Sequence, residues 1–593
     1  MPTPPRPLLG PTPSRSGLTQ ISSRPGTRPG SGSGLRPGFS IKELLTGIII
    51  AFAMALIFRG FVIEGFLIPT GSMAPTLLGK HMRVTDESSG YQWTVGPWDY
   101  ADGSVPYSVQ GVKEAITVND PMTRAPIALT KEPLLAGDRV FVMKYLEGVH
   151  EPERWQVVVF KVPKSPQENF IKRLIGLPSE QLAIVDGDVF YREASDGSAH
   201  SVGAPAWTED DWKIARKSER VQRAMFQTVF DSRFIPPADT QEALTASNRY
   251  RSPWSVDGGA GSWSDMAEPG PATYSGTSDT TLTWDSDRYP LDDYTPYNQN
   301  GDPDRNARSP AYQGFDRDRR SSIGIFPVSD VAVSLALEPE ADGTGAIFDL
   351  RARGHRFEAI VENGKATLRM RVDASGAADR WITLDESPLE LPSGRTTVLE
   401  FWHVDQTLWL LADGELVAGG PEDGAYELTP ADRVMHATGQ HLAGLLSLNA
   451  GLEQSPLADP SVYRAPSLSV TLKGGAVTLH RSVVSRDIFY QTPRHPPARA
   501  GHPMSMPTLS PEEYFLCGDN SPNSHDARSW DYVDKWVSTT IHDLDPLELD
   551  DNAGLVHRDL LVGRAFVVYL PAPVARKPLP IPMLDFGRMR WIW

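Results

Sequence analysis

An uncharged apolar run near the N-terminus is the feature that most constrains this chain. Residues 44–58 read LLTGIIIAFAMALIF, and the apolar stretch continues to Ile63 beyond Arg59. About 20 helical residues span the hydrocarbon core of a bilayer, so we predict a transmembrane helix over residues 41–63, with Arg59 at the interface. No small-residue cleavage site follows Phe58, which disfavours a cleaved signal peptide; a buried core helix is the other alternative.

The preceding residues indicate the orientation of this helix. Residues 1–40 are rich in Pro, Ser and Gly and carry arginines but no acidic residue, so we predict a disordered tail. By the positive-inside rule this tail is cytoplasmic. We therefore expect a single-pass protein of the inner (plasma) membrane, with everything after residue 63 on the outer, periplasmic side.

Composition excludes some classes of function. The 593 residues predict about three or four domains, and the formal charge of −17 opposes nucleic-acid binding. Cys517 is the single cysteine, which rules out an intramolecular disulfide and cysteine-based zinc sites. We expect no metal ion and no cofactor.

Four sequence blocks follow the apolar run and carry polar residues suited to chemistry. They are residues 65–77 (GFLIPTGSMAPTL), 137–145 (GDRVFVMKY), 169–178 (NFIKRLIGLP) and 518–528 (GDNSPNSHDAR). The first ends in a Pro/Gly turn that presents Ser72. The third precedes a hairpin pattern over residues 184–191, with Asp186 and Gly187 at its turn.

Ser72 and Lys172 suggest a nucleophile and its base. A serine hydroxyl needs a neighbouring base, and no G-x-S-x-G pattern supplies a histidine. A lysine serves if burial lowers its pKa. In a strand, Lys172 shares a face with Phe170 and Leu174, while Arg173 points to the other face. A solvated lysine at a strand edge is the alternative.

Together, and in this order, the blocks resemble the type I signal peptidases, membrane-bound Ser/Lys proteases that remove signal peptides from secretory preproteins. The resemblance covers roughly residues 41–85, 134–193 and 505–575. It implies a mainly β fold, with a signal-peptidase-type β catalytic domain behind one N-terminal transmembrane helix. It also implies a serine endopeptidase that cleaves after Ala-x-Ala through an acyl-enzyme, with preproteins and the lipid bilayer as partners.

The resemblance assigns a role to each matching residue. Ser72 matches the nucleophile and Lys172 the general base, and Thr70 matches a hydroxyl that joins the Ser72 backbone N–H in the oxyanion hole. Ser524 matches the serine that orients the lysine amine. The supporting polar cluster matches Asp519, Asp526 and Arg528. The apolar positions around the substrate pockets match Phe66, Ile68, Met73 and Ile171, for which core packing is the alternative.

The chain also departs from the family pattern. Gly-Leu-Pro-Gly-Asp/Glu reads GLPSE at residues 176–180, and Arg-Gly-Asp-Val-Val reads RWQVV at residues 154–158. Asp-Ser-Arg reads DAR at residues 526–528, and Gly-Asp-Asn-Arg reads GDNS at residues 518–521. None removes the nucleophile or the base, but they alter the turn near Pro178 and part of the polar support.

Two insertions separate the matching blocks, residues 86–133 and residues 194–504. We predict an irregular segment over residues 194–324, anchored by tryptophans, and a linker over residues 493–504. Between them, short alternating strands and turns such as Asn363-Gly364 predict a jelly-roll-like β-sandwich over residues 325–492, similar to laminin-G and concanavalin folds. Such a sandwich either positions partners or binds a glycan or protein ligand.

More than one interpretation remains open for the end of the sequence and for the overall function. Residues 576–593 mix aromatics with arginines, so this tail either touches lipid headgroups or packs on the β-domain. Besides an active signal peptidase, the sequence leaves two alternatives, a tethered binding protein on a degenerate protease scaffold and a self-cleaving Ser/Lys regulator. The presence of Ser72 and Lys172 opposes the former, and the membrane span with the acidic charge opposes a DNA-binding regulator.

Overall fold

The computed structural model describes most of the chain. The described residues are 41–97, 116–129, 132–145, 150–194, 203–242, 249–257, 263–299, 324–372, 380–447, 455–545, 552–575, 582–583 and 585–593. The predicted tail of residues 1–40 lies outside them, as do parts of both insertions. The chain divides into two compact units, residues 1–58 and 59–593.

The apolar run forms an α-helix over Ile41–Phe61. Among the described residues it is the one helix long and apolar enough to cross a membrane, over the window Leu44–Phe61. The helix ends two residues before the predicted boundary. Ile63 instead begins the first strand, Ile63–Leu67, whose backbone pairs with Arg139–Lys144.

An eight-stranded antiparallel sheet, here called the large sheet, unites the blocks that resemble signal peptidases. Its strands, in spatial order, are Ile63–Leu67, Arg139–Lys144, Leu561–Leu570, Val157–Val162, Ser165–Gly176, Glu513–Cys517 and Val556–His557, with Arg590–Trp591 also paired to Leu561–Leu570. Strand Ile63–Leu67 lies at one edge of this order. The mainly β fold predicted from the sequence is confirmed.

Smaller antiparallel sheets lie around the large one. They are Glu180–Val185 with Asp188–Glu193 and Lys213–Ile214, Met82–Thr85 with Gln92–Val95, Ile116–Asn119 with Pro126–Leu129, and Val574–Ala575 with Pro582–Met583. The hairpin predicted over residues 184–191 is present. Its turn residues Asp186 and Gly187 have φ of 50° and 87°, the left-handed values that such two-residue turns require.

The large insertion forms a β-sandwich of two seven-stranded antiparallel sheets. The first sheet contains Gln227–Asp231, Ala272–Tyr274, Val331–Pro339, Thr397–Val404, Thr407–Ala412, Glu415–Gly419 and Val477–Arg486. The second contains Trp254–Asp257, Thr280–Trp284, Gly345–Ala352, His355–Glu362, Lys365–Val372, Ile382–Pro388 and Ser467–Lys473. Inward-facing side chains of both sheets, such as Phe348 and Phe401, form one apolar core.

Part of the segment expected to be irregular belongs to this sandwich. Strands between residues 227 and 284 extend both sheets, so the sandwich begins about a hundred residues earlier than predicted. Trp254 and Trp284, expected to anchor loops, face each other across paired strands inside the core. These strands have three to five residues each, too few for a clear alternation in the sequence.

Short helices connect the strands. The α-helices are Glu219–Met225, Ala238–Glu242, Gly420–Asp423, Pro430–Thr438, Leu442–Ser447 and Lys535–Thr540. The 3₁₀ turns are Ala204–Thr208, Ser232–Phe234, Pro296–Asn298, Pro456–Ala458, Pro460–Val462, Ser521–Asn523, Arg558–Leu560 and Phe586–Arg588. Two of these turns, Pro296–Asn298 and Ser521–Asn523, lie against the candidate site.

The tail after residue 585 packs on the large sheet. Trp591 pairs with Val567, and Ile592 is buried in the apolar cluster of that sheet. The backbone oxygen of Trp593 accepts a hydrogen bond from Arg173 at 2.8 Å. The tail therefore packs on the large sheet, and Trp591 and Phe586 stay exposed. Contact with lipid headgroups stays a prediction.

Candidate functional site

The site joins Ser72, in the turn after the edge strand, to Lys172, on strand Ser165–Gly176. Lys172 Nζ lies 2.5 Å from Ser72 Oγ, although the residues are 100 positions apart. Lys172 is 2% exposed, and burial lowers the pKa of its amine from 10.5 to about 8. The Phe170 ring lies 5.4 Å from Nζ. The amine therefore loses its proton more readily than an ordinary lysine, beside a hydroxyl that could supply one.

The backbone around Ser72 is held by the fourth sequence block. The Asn520 backbone N–H donates to the Ser72 carbonyl at 3.0 Å, and Asn520 Nδ2 donates to the Gly71 carbonyl at 3.0 Å. Gly518 lies directly beneath this loop. A Cβ at residue 518 would lie 2.4 Å from the Ser72 carbonyl oxygen and 2.2 Å from Ser524 Oγ, so only glycine fits there.

Two of the predicted site residues, Ser524 and Thr70, make no hydrogen bond with Ser72 or Lys172 that would fit their assigned roles among the described residues. Ser524 Oγ is buried and has no hydrogen-bond partner in the part of the chain that the structure describes, Lys172 included. It lies instead against Gly518. Thr70 is exposed, two residues before Ser72. Their assigned roles, orienting the amine and donating to an oxyanion, stay predictions.

Two buried ion pairs surround the dyad. Asp519 accepts two hydrogen bonds from Arg173, at 2.8 and 2.6 Å, and Asp526 accepts two from Arg528, at 2.9 and 2.8 Å. Asp526 Oδ2 also accepts the Gly518 backbone N–H at 2.9 Å. Burial disfavours the Asp526 carboxylate, but the Arg528 guanidinium outweighs this and lowers its pKa. These residues therefore fix the backbone of the site, and Arg528 favours the charged form of Asp526.

The four residues predicted around the substrate pockets lie in or against one apolar cluster. Ile68, Met73 and Ile171 are buried, whereas Phe66 is only partly buried. Ile68, Met73 and Ile171 therefore pack in the core of this structure. Phe66 offers the most accessible surface of the four.

Residues of the insertion also reach the site, which the sequence patterns had not indicated. The Tyr297 hydroxyl donates to the Lys80 carbonyl at 2.7 Å. The Tyr297 ring packs on Gly71, where a Cβ would lie 2.1 Å from Cε1. Asn298 exchanges two side-chain hydrogen bonds with Asn520, at 2.7 and 2.8 Å across 222 positions. No local motif relates these residues, so only the tertiary structure reveals them.

Two departures from the family pattern fall at left-handed backbone positions. Ser179 and Trp155 stand where the family has glycine, and their φ values are 60° and 72°. Glycine adopts such angles without steric cost, whereas a residue with a Cβ does so at a cost in conformational free energy. The chain therefore keeps the two turns with some backbone strain. Trp155 also gains contacts: its carbonyl accepts from Arg173 at 2.7 Å, and its ring lies 4.7 Å from Lys217 Nζ.

A buried cluster of aspartates lies away from the dyad. Carboxylate oxygens of Asp188, Asp330 and Asp405 lie within 4.8 Å of one another. Cationic side chains already contact all three. Asp188 and Asp330 pair with Arg433 and Arg353, and Asp405 pairs with Lys217 at 2.6 Å. Each of the three carboxylates thus has a cationic partner, and Asp186 and Asp487 share the same cations. The cluster is an ionic link between the hairpin at residue 187 and the sandwich.

Comparisons with known proteins bear on the part of the chain that holds Lys172. Residues 123–236 match the family model for signal peptidase, peptidase S26. A signal peptidase I of Rickettsia typhi is 29% identical over 154 residues, covering 26% of this chain and 43% of the relative. That of Rickettsia akari is 30% identical over 185 residues, covering 31% of this chain and 53% of the relative. The chain thus spans about half the length of these relatives.

Solved structures match the chain only distantly. A carbohydrate-binding module CBM66 of Bacillus subtilis covers 39% of this chain and 92% of that chain at 9% identity, with a TM-score of 0.20. The galectin LEC-6 of Caenorhabditis elegans covers 27% of this chain and 84% of that chain at 13% identity, with a TM-score of 0.16. The evidence for a sandwich is the pair of seven-stranded sheets in this chain itself. The resemblance to signal peptidases that the sequence motifs predicted is confirmed by the family model and by these Rickettsia relatives.

Proposed function

We propose that this chain is a membrane-anchored signal peptidase that cleaves secretory preproteins after small residues by a Ser/Lys mechanism. The observation that carries the proposal is the 2.5 Å contact between the buried Lys172 Nζ and Ser72 Oγ. The family match over residues 123–236, which includes Lys172, supports a peptidase of the signal peptidase family.

In the proposed reaction, the neutral Lys172 amine takes the proton from Ser72 Oγ as that oxygen attacks the scissile carbonyl. The Ser72 backbone N–H and the Thr70 hydroxyl then donate to the oxyanion. The lysine returns its proton to the leaving amine, which leaves an acyl-enzyme on Ser72. That leaving amine is the new N-terminus of the mature protein, which departs at this step, while the signal peptide stays esterified to Ser72. Water, deprotonated by Lys172, then hydrolyses the ester and releases the signal peptide, and the proton returns to Ser72 Oγ.

The substrate would bind as an extended strand. Among the described residues, strand Ile63–Leu67 pairs on one side only, so it forms an edge of the large sheet, and the chain runs from it directly into the Ser72 turn. An extended peptide can add to such an edge through backbone hydrogen bonds. Partly buried Phe66 would contact the substrate side chains, and shallow pockets that admit only small side chains would explain cleavage after Ala-x-Ala.

The proposed location follows from the helix Ile41–Phe61 and the arginine-rich residues before it. The helix would cross the inner membrane once, with residues 1–40 in the cytoplasm and the peptidase unit outside. Secretory preproteins emerge on that side, where their cleavage sites become accessible.

The test is cleavage of a preprotein with an Ala-x-Ala site by the full chain in proteoliposomes. We expect Ser72→Ala and Lys172→Ala each to lose at least roughly a thousandfold in rate, because neither partner acts alone. Lys161→Ala removes an exposed lysine from a neighbouring strand and is the matched control, with unchanged activity expected. Cleavage that survives loss of Ser72 or Lys172 would refute the mechanism. Failure of the wild type to cut any preprotein would refute the function.

A further inference from the structure

A cavity of about 490 Å³ lies beside the Ser72 loop and shares Tyr297 with the surroundings of that loop. Its walls come from Pro75 and Leu78, from residues 224–229 of the insertion, and from Arg588 and residues 590–593 of the tail. Ser72 and Lys172 do not line it. A cavity of this size is typical of small-molecule sites.

Four guanidinium groups line this cavity, from Arg124, Arg486, Arg588 and Arg590. Asp292 supplies the one carboxylate side chain of its described lining. Arg486 is 3% exposed, so its charge is almost fully removed from water. The lining therefore carries an excess of positive charge in a partly enclosed space.

These arginines lack the acidic partners that buried arginines normally have. Within the described residues, no carboxylate lies within 4 Å of the guanidinium of Arg124, Arg486 or Arg590. Arg486 donates to the Tyr294 carbonyl at 3.1 Å, and Arg590 donates to the Thr76 carbonyl. Burial accordingly lowers the pKa of both guanidinium groups.

Arg588 is only weakly paired. Its Nη2 lies 3.5 Å from Asp138, and its buried Nη1 has no hydrogen-bond partner among the described residues. Elsewhere this chain pairs its buried arginines closely: Arg173 with Asp519 at 2.6 Å and Arg528 with Asp526 at 2.8 Å. Buried charges are costly unless paired, so an anion bound in the cavity would supply the close pairing that these arginines do not find among the described residues.

The remainder of the lining is apolar and aromatic. Tyr91 and Trp93 contribute from the smaller insertion, and Trp591 and Trp593 from the tail. Rings of this kind stack on a planar or aliphatic body, while guanidinium forks match phosphate oxygens. We propose that the cavity binds an organic anion with a phosphate headgroup and an aromatic or aliphatic body. Such a headgroup could come from a soluble phosphorylated compound or from a phospholipid.

Binding of phenyl phosphate to the full chain in neutral-lipid nanodiscs tests this proposal by calorimetry. We expect saturable binding at least about tenfold tighter than that of inorganic phosphate, and none of benzyl alcohol, which keeps the ring and lacks the charge. Phosphatidic acid in the nanodiscs separates the two sources: competition identifies a lipid headgroup, and its absence identifies a soluble anion. Absence of saturable phenyl phosphate binding would overturn the proposal.

Arginine variants localise the binding. Arg124→Gln and Arg486→Gln should each weaken phenyl phosphate binding about tenfold, since each removes a charged hydrogen bond. Arg124 contacts the Tyr289 ring at 4.9 Å and is partly exposed, so its variant should fold even if that of Arg486 does not. Arg395→Gln, at an exposed site of the sandwich, is the control. Equal affinity in Arg124→Gln and wild type would place the anion elsewhere and refute the assignment.

Discussion

Asn298 and Asn520 hydrogen-bond to each other through both atoms of their side-chain amides, at 2.7 and 2.8 Å. Asn298 belongs to the large insertion, and Asn520 holds the Ser72 backbone. The insertion therefore stabilises the loop that presents the proposed nucleophile, from a distance of 222 residues along the chain.

Loss of this pair should slow catalysis without weakening substrate binding. Asn298→Ala removes two hydrogen bonds from the Asn520 side-chain amide and leaves only the one that it donates to the Gly71 carbonyl. We expect kcat to fall roughly tenfold with KM nearly unchanged, equivalent to about 1.4 kcal/mol. Asn298→Asp keeps an acceptor for Asn520 Nδ2 and should recover part of the rate. Asn523→Ala, at an exposed asparagine of the turn Ser521–Asn523 that follows Asn520, is the control. A rise in KM at constant kcat would contradict a positioning role.

The activity should depend on pH through Lys172. The base acts only when its amine is neutral, and burial lowers the amine pKa to about 8. We therefore expect kcat/KM to rise about tenfold per pH unit below pH 8 and to level off above it. The Lys161→Ala enzyme should show the same profile. A rate independent of pH between 6 and 9 would exclude Lys172 as the base.

Gly518→Ala tests the close contact beneath the nucleophile loop. The added Cβ would meet the Ser72 carbonyl oxygen at 2.4 Å, and backbone cannot yield as a flexible side chain can. Displacing Ser72 by about 1 Å should cost roughly a hundredfold in kcat. Gly444→Ala adds the same atom where no other atom lies within 4 Å, and it should leave the rate unchanged. Wild-type activity in Gly518→Ala would show that the loop moves freely.

Asp120 should make stability depend on pH. Burial, followed by its hydrogen bond to Asp86, raises the pKa of Asp120 to about 7 from 3.8. The folded state thus binds more protons than the unfolded state between these values, so stability falls as pH rises from about 4 to about 7. The loss is at most about 4 kcal/mol.

Asp120→Asn removes this titration and can still donate to Asp86. The melting temperature of the wild type should fall relative to that of the variant as pH rises from 4.5 to 7.5, measured by calorimetry. Asp265→Asn, at an exposed aspartate, should follow the wild type. A difference between wild type and Asp120→Asn that is constant across this range would contradict the assignment.

Local patterns predicted some features of the fold well. The turns at Asp186-Gly187 and Asn363-Gly364 adopt left-handed angles, because asparagine, aspartate and glycine tolerate them best. The apolar run forms a helix, which ends at Phe61 as the chain enters a strand. The sequence blocks also named Ser72 and Lys172, which the structure brings into contact.

Features that depend on distant pairing were not predictable. Strand Ala272–Tyr274 has three residues and exists because it pairs with Val477–Arg486. Asn298 lies in a polar, unpatterned segment, so nothing in its neighbourhood indicates a contact with the nucleophile loop. Whether the sandwich binds a glycan or protein ligand stays a prediction.

The order of the segments in the large sheet has a consequence for the synthesis of this protein. Chains emerge from the ribosome N-terminus first, at about 5–20 residues per second. Arg173 precedes its partner Asp519 by 346 residues, so about 17–70 s separate their translation. During this interval the Ser72 loop lacks Asn520, and Lys172 lacks Asp526 and Arg528 around it. The proposed protease would therefore stay inactive while its own insertion is being made, and nascent chains nearby would be protected from premature cleavage.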